Sequence, residues 1–159
     1  MFGFQLCLIL KSKHEGSDLN GFIYGDNDRL VGWAAEVIGF TPRNDVQAIG
    51  WQENGQLRAV TLWDGFSACD CNIHIASDGS GKWLRRPFLR ASFWHPFVQF
   101  GLRRVTGLVP AKNAAALRFD LHLGFVREGL IRNALPDDDI IILGMLREDC
   151  RFLPEKLRS

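Results

Sequence analysis

Asn113-Ala-Ala-Ala-Leu-Arg-Phe-Asp-Leu-His-Leu-Gly-Phe-Val-Arg-Glu-Gly-Leu-Ile-Arg132 is the stretch on which the fold turns. Its first half reads as a helix, Asn113 to Leu123, and Gly124 supplies the left-handed stop. A strand over Phe125 to Glu128 follows, and the unbroken apolar run Ile140 to Leu146 is a second, buried strand. Upstream, Arg104 to Val109 is a strand ended by Pro110. A helix between two strands predicts parallel pairing somewhere in the sheet.

Further upstream, Trp83 to Leu102 carries Phe88, Leu89, Phe93, Trp94, Phe97 and Phe100 at spacings of three and four, the pattern of a buried helix. Pro87 suits a first turn, whereas Pro96 removes an internal hydrogen bond and predicts a kink or an early end. Between Gln47 and Ala76 the period shortens to that of strands: Ala48 to Trp51, Leu57 to Trp63 and Cys69 to Ile75. Asn54-Gly55 is a two-residue hairpin signal, because both positions need positive φ, and Asp64-Gly65 marks the next turn. An antiparallel meander follows. Asp26 and Asp28 open a helix over about 28–38, which Gly39 and Pro42 close. The expected fold class is α+β, a mixed sheet of six to seven strands with helices on both faces.

Residues 1–20 read as a leader or weak strand, 21–153 as one domain and 154–159 as a tail. The chain of 159 residues is 47% hydrophobic and 23% charged, an ordinary globular composition with material for one core. Its net charge of +1 gives no global field toward nucleic acid or an anionic membrane, so an anion site must come from local clustering. The apolar start lacks a basic residue before it and is too short to span a bilayer, so a cytoplasmic location is expected. Cys7, Cys69, Cys71 and Cys150 show neither zinc-ribbon nor CxxC spacing, and Cys69 and Cys71 would share one strand face. Buried free thiols and no metal site are expected.

Local clustering does occur after the third meander strand. Asp78-Gly79-Ser80-Gly81 is small enough for backbone amides to approach a phosphate, and Lys82, Arg85, Arg86 and Arg90 follow. An ordinary turn before a solvated basic helix face is the competing reading.

Together the Asn113 helix, Leu123-Gly124-Phe125, Glu128-Gly129 and Arg132 resemble the C-terminal half of GNAT acetyltransferases. The resemblance is nearest to the ribosomal-protein N-terminal acetyltransferase branch and to small acetyltransferases of phages and prophages. Trp33, His74-Ile75-Ala76-Ser77-Asp78 and Ile142-Leu143-Gly144-Met145-Leu146-Arg147 extend it over about residues 25–153. The resemblance implies a sheet splayed between its fourth and fifth strands with acetyl-CoA in the gap. Backbone groups of Ile73, Ile75 and Ala76 would then pair with the pantetheine arm. Gly79, Ser80, Gly81 and Lys82, with Arg85 and Arg86, would take the phosphates, and Asn113 would bond the cofactor arm. Two departures stand out. Ala76 occupies the position of the family's leading Gln or Arg in the phosphate loop, and Asp120 stands where many members carry a tyrosine acid; the chain's one tyrosine is Tyr24.

Acyl transfer to an amine needs a base for the ammonium proton, donors for the oxyanion and a proton for the departing thiolate. His74 is the preferred base, since its neutral form is available near pH 7. Asp70, Asp120 and Glu53 are the alternatives. Direct transfer needs no enzyme thiol, so Cys71 is not required. The expectation is an acetyl-CoA-dependent N-acetyltransferase acting on a protein N-terminus, a lysine or a small-molecule amine, with no nucleic-acid partner and homodimerisation left open. The competing readings are an inactive acyl-CoA-binding or protein-interaction module, and a nucleic-acid module using Arg85, Arg86, Arg90, Arg103 and Arg104.

Overall fold

The computed structural model describes residues 20–39 and 41–158. The expected leader and Cys7 lie outside them, Asn20 excepted. The described elements are β1 (Gly21–Ile23), α1 (Asn27–Ile38), β2 (Gln47–Glu53), β3 (Gln56–Asp64), β4 (Asn72–Ser77), α2 (Arg86–Trp94), β5 (Arg104–Pro110), α3 (Ala114–Leu123), β6 (Val126–Leu135) and β7 (Asp138–Leu146). The strands form one seven-stranded sheet in the order β1-β2-β3-β4-β5-β7-β6. Every neighbouring pair is antiparallel except β4 and β5, which are joined through α2. The mixed α+β sheet is as expected.

Turn chemistry sets the meander. Asn54 and Gly55 have φ of 52° and 72°, so both turn residues are left-handed as the tight β2–β3 hairpin requires. Gly124 ends α3 at φ 114°, donating its N–H to Asp120 and Leu121 carbonyls. Alternation along the strands then sorts the sheet's two faces. Val60, Leu62 and Ala76 pack under Leu30, Val31 and Ala34 of α1. The opposite face holds the larger cluster, in which Phe88, Phe93 and Phe97 are completely buried with Trp63 and Leu143. The Thr61 hydroxyl meets the Ser92 hydroxyl at 2.8 Å, and Ser92 donates to the Phe88 carbonyl, so the polar atoms between β3 and α2 are paired.

The aromatic segment is a helix, though shorter than its period. It begins at Arg86, with Pro87 in the first turn, and the α-helix ends at Trp94. Pro96 has no N–H to give to Ser92, and the backbone widens to a π-turn over His95–Gln99, closed by Phe100 N–H on the His95 carbonyl at 3.1 Å.

Two expectations need correction. Cys69 and Cys71 do not share a strand face: Ser67 caps a turn by accepting from Asp70 N–H, and β4 starts only at Asn72. Cys71 and Cys150 are buried thiols, but Cys69 is exposed. The strand after α3, expected over Phe125 to Glu128, also runs on to Leu135, and β6 and β7 form a hairpin turning at Pro136-Asp137. Its carboxylates brace the corner: Asp138 accepts from Lys112 N–H at 3.0 Å and Asp139 from Asn133 N–H at 2.8 Å. At the C-terminus Glu155–Leu157 form a 3-10 turn whose Leu157 carbonyl accepts from Arg147 Nε at 2.7 Å.

Candidate active site

β4 and β5 are registered at one position, Asn72 opposite Thr106. The joint is closed by Thr106 N–H on the Cys71 carbonyl at 2.9 Å and by Arg103 and Arg104 N–H groups on the Cys69 carbonyl. Beyond it Ile73–Ser77 and Gly107–Pro110 diverge, leaving a cavity of about 500 Å³, within the usual range for a small-molecule site. The lining comes from both faces of the sheet. Ile73, Ile75, Trp83, Phe119, Asp120 and Phe125 stand on the α2/α3 side, and His74, Leu108 and Ile38 on the α1 side. The opening therefore passes through the sheet. Ser77 at the end of β4 and Asn113 at the N-cap of α3 also line the cavity, as does Asp120 farther along α3.

His74 projects on the α1 face beside Leu62, with 18% of its side chain exposed. Its Nε2 is 3.2 Å from Asp64 Oδ1. Burial pulls its pKa below the ordinary value, and the Asp64 carboxylate only partly opposes this, so the ring is neutral at pH 7. Asp120 lies on the opposite wall. Burial alone pushes its carboxyl up to about 7, so near neutrality a large share carries a proton.

The remaining residues singled out in the sequence divide clearly. Ile73 and Ile75 line the cavity, whereas the Ala76 side chain packs beneath α1. Asn113 caps α3 by accepting from Ala116 N–H at 3.1 Å and also lines the cavity. Gly79, Ser80, Gly81 and Lys82 form an exposed loop just past Ser77, with Gly79 and Gly81 left-handed. In that loop Ser80 N–H donates to Asp78 Oδ1 at 2.9 Å and Lys82 N–H to Ser80 Oγ at 3.3 Å. Arg85 is engaged by Glu53 at 3.1 Å, and Arg86 is the exposed first residue of α2.

Asp70 is outside the cavity wall. It accepts from Thr106 Oγ1 at 2.8 Å and sits 3.5 Å from Arg104 Nε, while Arg104 also pairs with Glu128 at 2.8 Å. Arg104 is thus paired with two carboxylates in a half-buried charge cluster and does not stand as an uncompensated basic group. The buried Cys71 thiol is pushed up to about 12 by burial and neighbouring aspartates, against thiolate formation. His95 stacks on Trp63 at 4.4 Å and burial lowers its pKa to about 4, a packing role. Asp64, which the sequence marks only as a turn residue, is the site residue that sequence reasoning missed; its partnership with His74 depends on the β3–β4 register.

No family model matches the sequence, and no curated protein matches it significantly. Solved structures do match. A variant of the spermidine N-acetyltransferase SpeG of Vibrio cholerae superposes with a TM-score of 0.70 at 12% identity, over 88% of this chain and 99% of that one. The ribosomal-protein-S18-alanine N-acetyltransferase of Escherichia coli gives 0.59 at 20% identity, over 80% and 94%. The N-acetyltransferase PseH of Campylobacter jejuni gives 0.54 at 10% identity, over 65% and 70%. Among the described residues no helix is long and apolar enough to cross a membrane. A sheet parted between β4 and β5, together with these superpositions, gives this chain the fold of the GNAT N-acetyltransferases.

Proposed function

We infer that the protein transfers an acetyl group from acetyl-CoA directly to a primary amine, the acceptor being a protein N-terminus, a lysine or a small molecule. The observation that carries this reading is the cavity that crosses the sheet, with His74 on one wall and Asp120 on the other. The residues present fit the donor. Ile73–Ser77 turn a row of backbone groups into the gap where pairing with β5 has ended, and apolar side chains surround it. Those groups and Asn113 would hold the pantetheine arm, and the Gly79–Lys82 loop, with Lys82 and Arg86, would meet the phosphates by exchanging its internal Ser and Asp bonds for phosphate oxygens. Bound there, the thioester supplies the acetyl group.

Within this reading the neutral His74 takes the first proton of the incoming ammonium and passes it to solvent, while the protonated Asp120 gives its proton to the departing sulfur and is restored by the second nitrogen proton, released as the amide forms. Asp120 takes the place of the tyrosine that many family members carry at this position. Calorimetric titration with acetyl-CoA tests the premise: binding is expected, and none at millimolar concentration removes the reading. Release of free thiol across an amine panel separates turnover from binding alone.

A pH profile follows. Turnover should rise as pH climbs through the lowered His74 pKa, because the base must be neutral. It should fall above about 7 as Asp120 loses its proton. Asp120→Asn should abolish the alkaline fall and lower kcat roughly tenfold, less than many general acids supply because a thiolate leaves readily. A second readout is independent of turnover. The Asp120 pKa is raised on folding, so its contribution to stability is full below the unfolded value of 3.8 and lost as pH rises through about 7. Denaturant midpoints of Asp120→Asn should lack that dependence; an unchanged profile in both assays removes Asp120 from the mechanism.

A further inference from the structure

At the end of β3 the Asp64 side chain is only 2% exposed, and several donors converge on it. Asn72 Nδ2 donates to Oδ1 at 3.0 Å, His74 Nε2 approaches the same oxygen at 3.2 Å, and Arg43 Nε stands 3.8 Å from Oδ2. The register explains the convergence: Asp64 opposes Asn72 and Leu62 opposes His74, so Asp64, Asn72 and His74 lie on one face of the β3–β4 pair. Arg43 arrives from the segment before β2. The corner is tightly built, since a Cβ on Gly65, at φ +60°, would come within 2.8 Å of Asn72 Nδ2 and 3.2 Å of Arg43 Nη1. A carboxylate this far from water needs partners to stay charged, and here Oδ1 is hydrogen-bonded while Oδ2 faces the Arg43 guanidinium at ion-pair distance.

We propose that Asp64 is the positioning residue of His74: its carboxylate, steadied by Asn72 and Arg43, takes the Nε2–H and fixes the imidazole in the cavity wall. The inference rests on the reading of His74 as the base. A carboxylate only accepts, so Nε2 carries the hydrogen of the neutral ring and the lone pair belongs to Nδ1. Asp64 thereby sets the orientation of the ring and its neutral tautomer. Its charge also stabilises the imidazolium that forms when His74 accepts the ammonium proton. Among the described residues, Asp64 and Arg43 are the charged side chains that act on the ring, and they act in opposite directions.

That opposition gives the test. The His74 imidazole is titrated by NMR in the wild-type protein, in Asp64→Asn and in Arg43→Gln, with the resonance assigned by its loss in His74→Ala. Asp64→Asn should lower the midpoint by removing the anion, and Arg43→Gln should raise it by removing the cation. Arg43 is 63% exposed, so its variant folds even where the buried Asp64 replacement does not. In turnover, Asp64→Asn should lower kcat by about tenfold or more with the acetyl-CoA KM within about twofold, and move the acidic limb to lower pH. Midpoints that stay put, or that move in the same direction in both variants, overturn the proposal. A wild-type chain without turnover on any amine defeats the proposed function instead, while the titration still decides whether Asp64 governs the ring.

Discussion

His74→Ala should reduce kcat by about 10² to 10⁴ while leaving acetyl-CoA binding within about twofold of wild type. The asymmetry comes from the division of the cavity. Ile73, Ile75, Trp83 and Asn113, which surround the expected donor position, are untouched by the substitution, whereas the one neutral imidazole on the lining among the described residues is removed. A primary amine is mostly protonated at pH 7 and is not a nucleophile in that form, so loss of the base falls on the chemical step. The fold should survive, because Asp64 keeps Asn72 and Arg43. Steady-state kinetics with calorimetry separates the two quantities, and added imidazole should restore part of the rate at high amine concentration. A kcat within twofold of wild type would remove His74 from the chemistry.

Phe93→Ala should cost about 3–5 kcal/mol of folding stability, a large part of the about 5–15 kcal/mol a domain ordinarily has. Phe93 is completely buried. Its ring stacks on Phe152 at 5.0 Å with 7° between planes, and neighbours Phe97 at 6.4 Å and Phe125 at 6.1 Å. It thus ties α2 to the π-turn, to the residue entering β6 and to the C-terminal segment. Removing the ring forfeits its transfer free energy and leaves a cavity whose walls come from separate elements, none free to collapse alone. In urea the midpoint should drop with little change in slope. A loss below about 1 kcal/mol would show that the aromatic seam is looser than its geometry.

Much of this fold is written locally. Asn54-Gly55, Gly124 and the period of Leu30 to Ile38 each fix a turn or a helix without help from the rest of the chain. What escaped is what depends on partners. β6 reads poorly because it is an edge strand with residues such as Arg127, Arg132 and Asn133 exposed, so burial imposes no alternation on Val126–Leu135. The end of α2 was expected from Pro96, but the π-turn that takes up the missing bond was not. In the site, His74 and Asn113 follow from residue order and resemblance. Asp64 does not, because seven residues separate β3 from β4 and no short-turn rule sets their register. The protonated character of Asp120 arises from burial, which no sequence pattern around it announces.

β4 lies fourth of seven strands, yet over most of its length it meets no ladder on the side toward β5. A strand at the centre of the molecule therefore has the half-satisfied backbone that proteins usually confine to a rim. Deuterium should reach the amides on that side ahead of those bonded to β3. Any extended molecule with amides of its own can add there as though it were an eighth strand, so the place to guard against unwanted strand addition is the middle of this sheet as well as its borders.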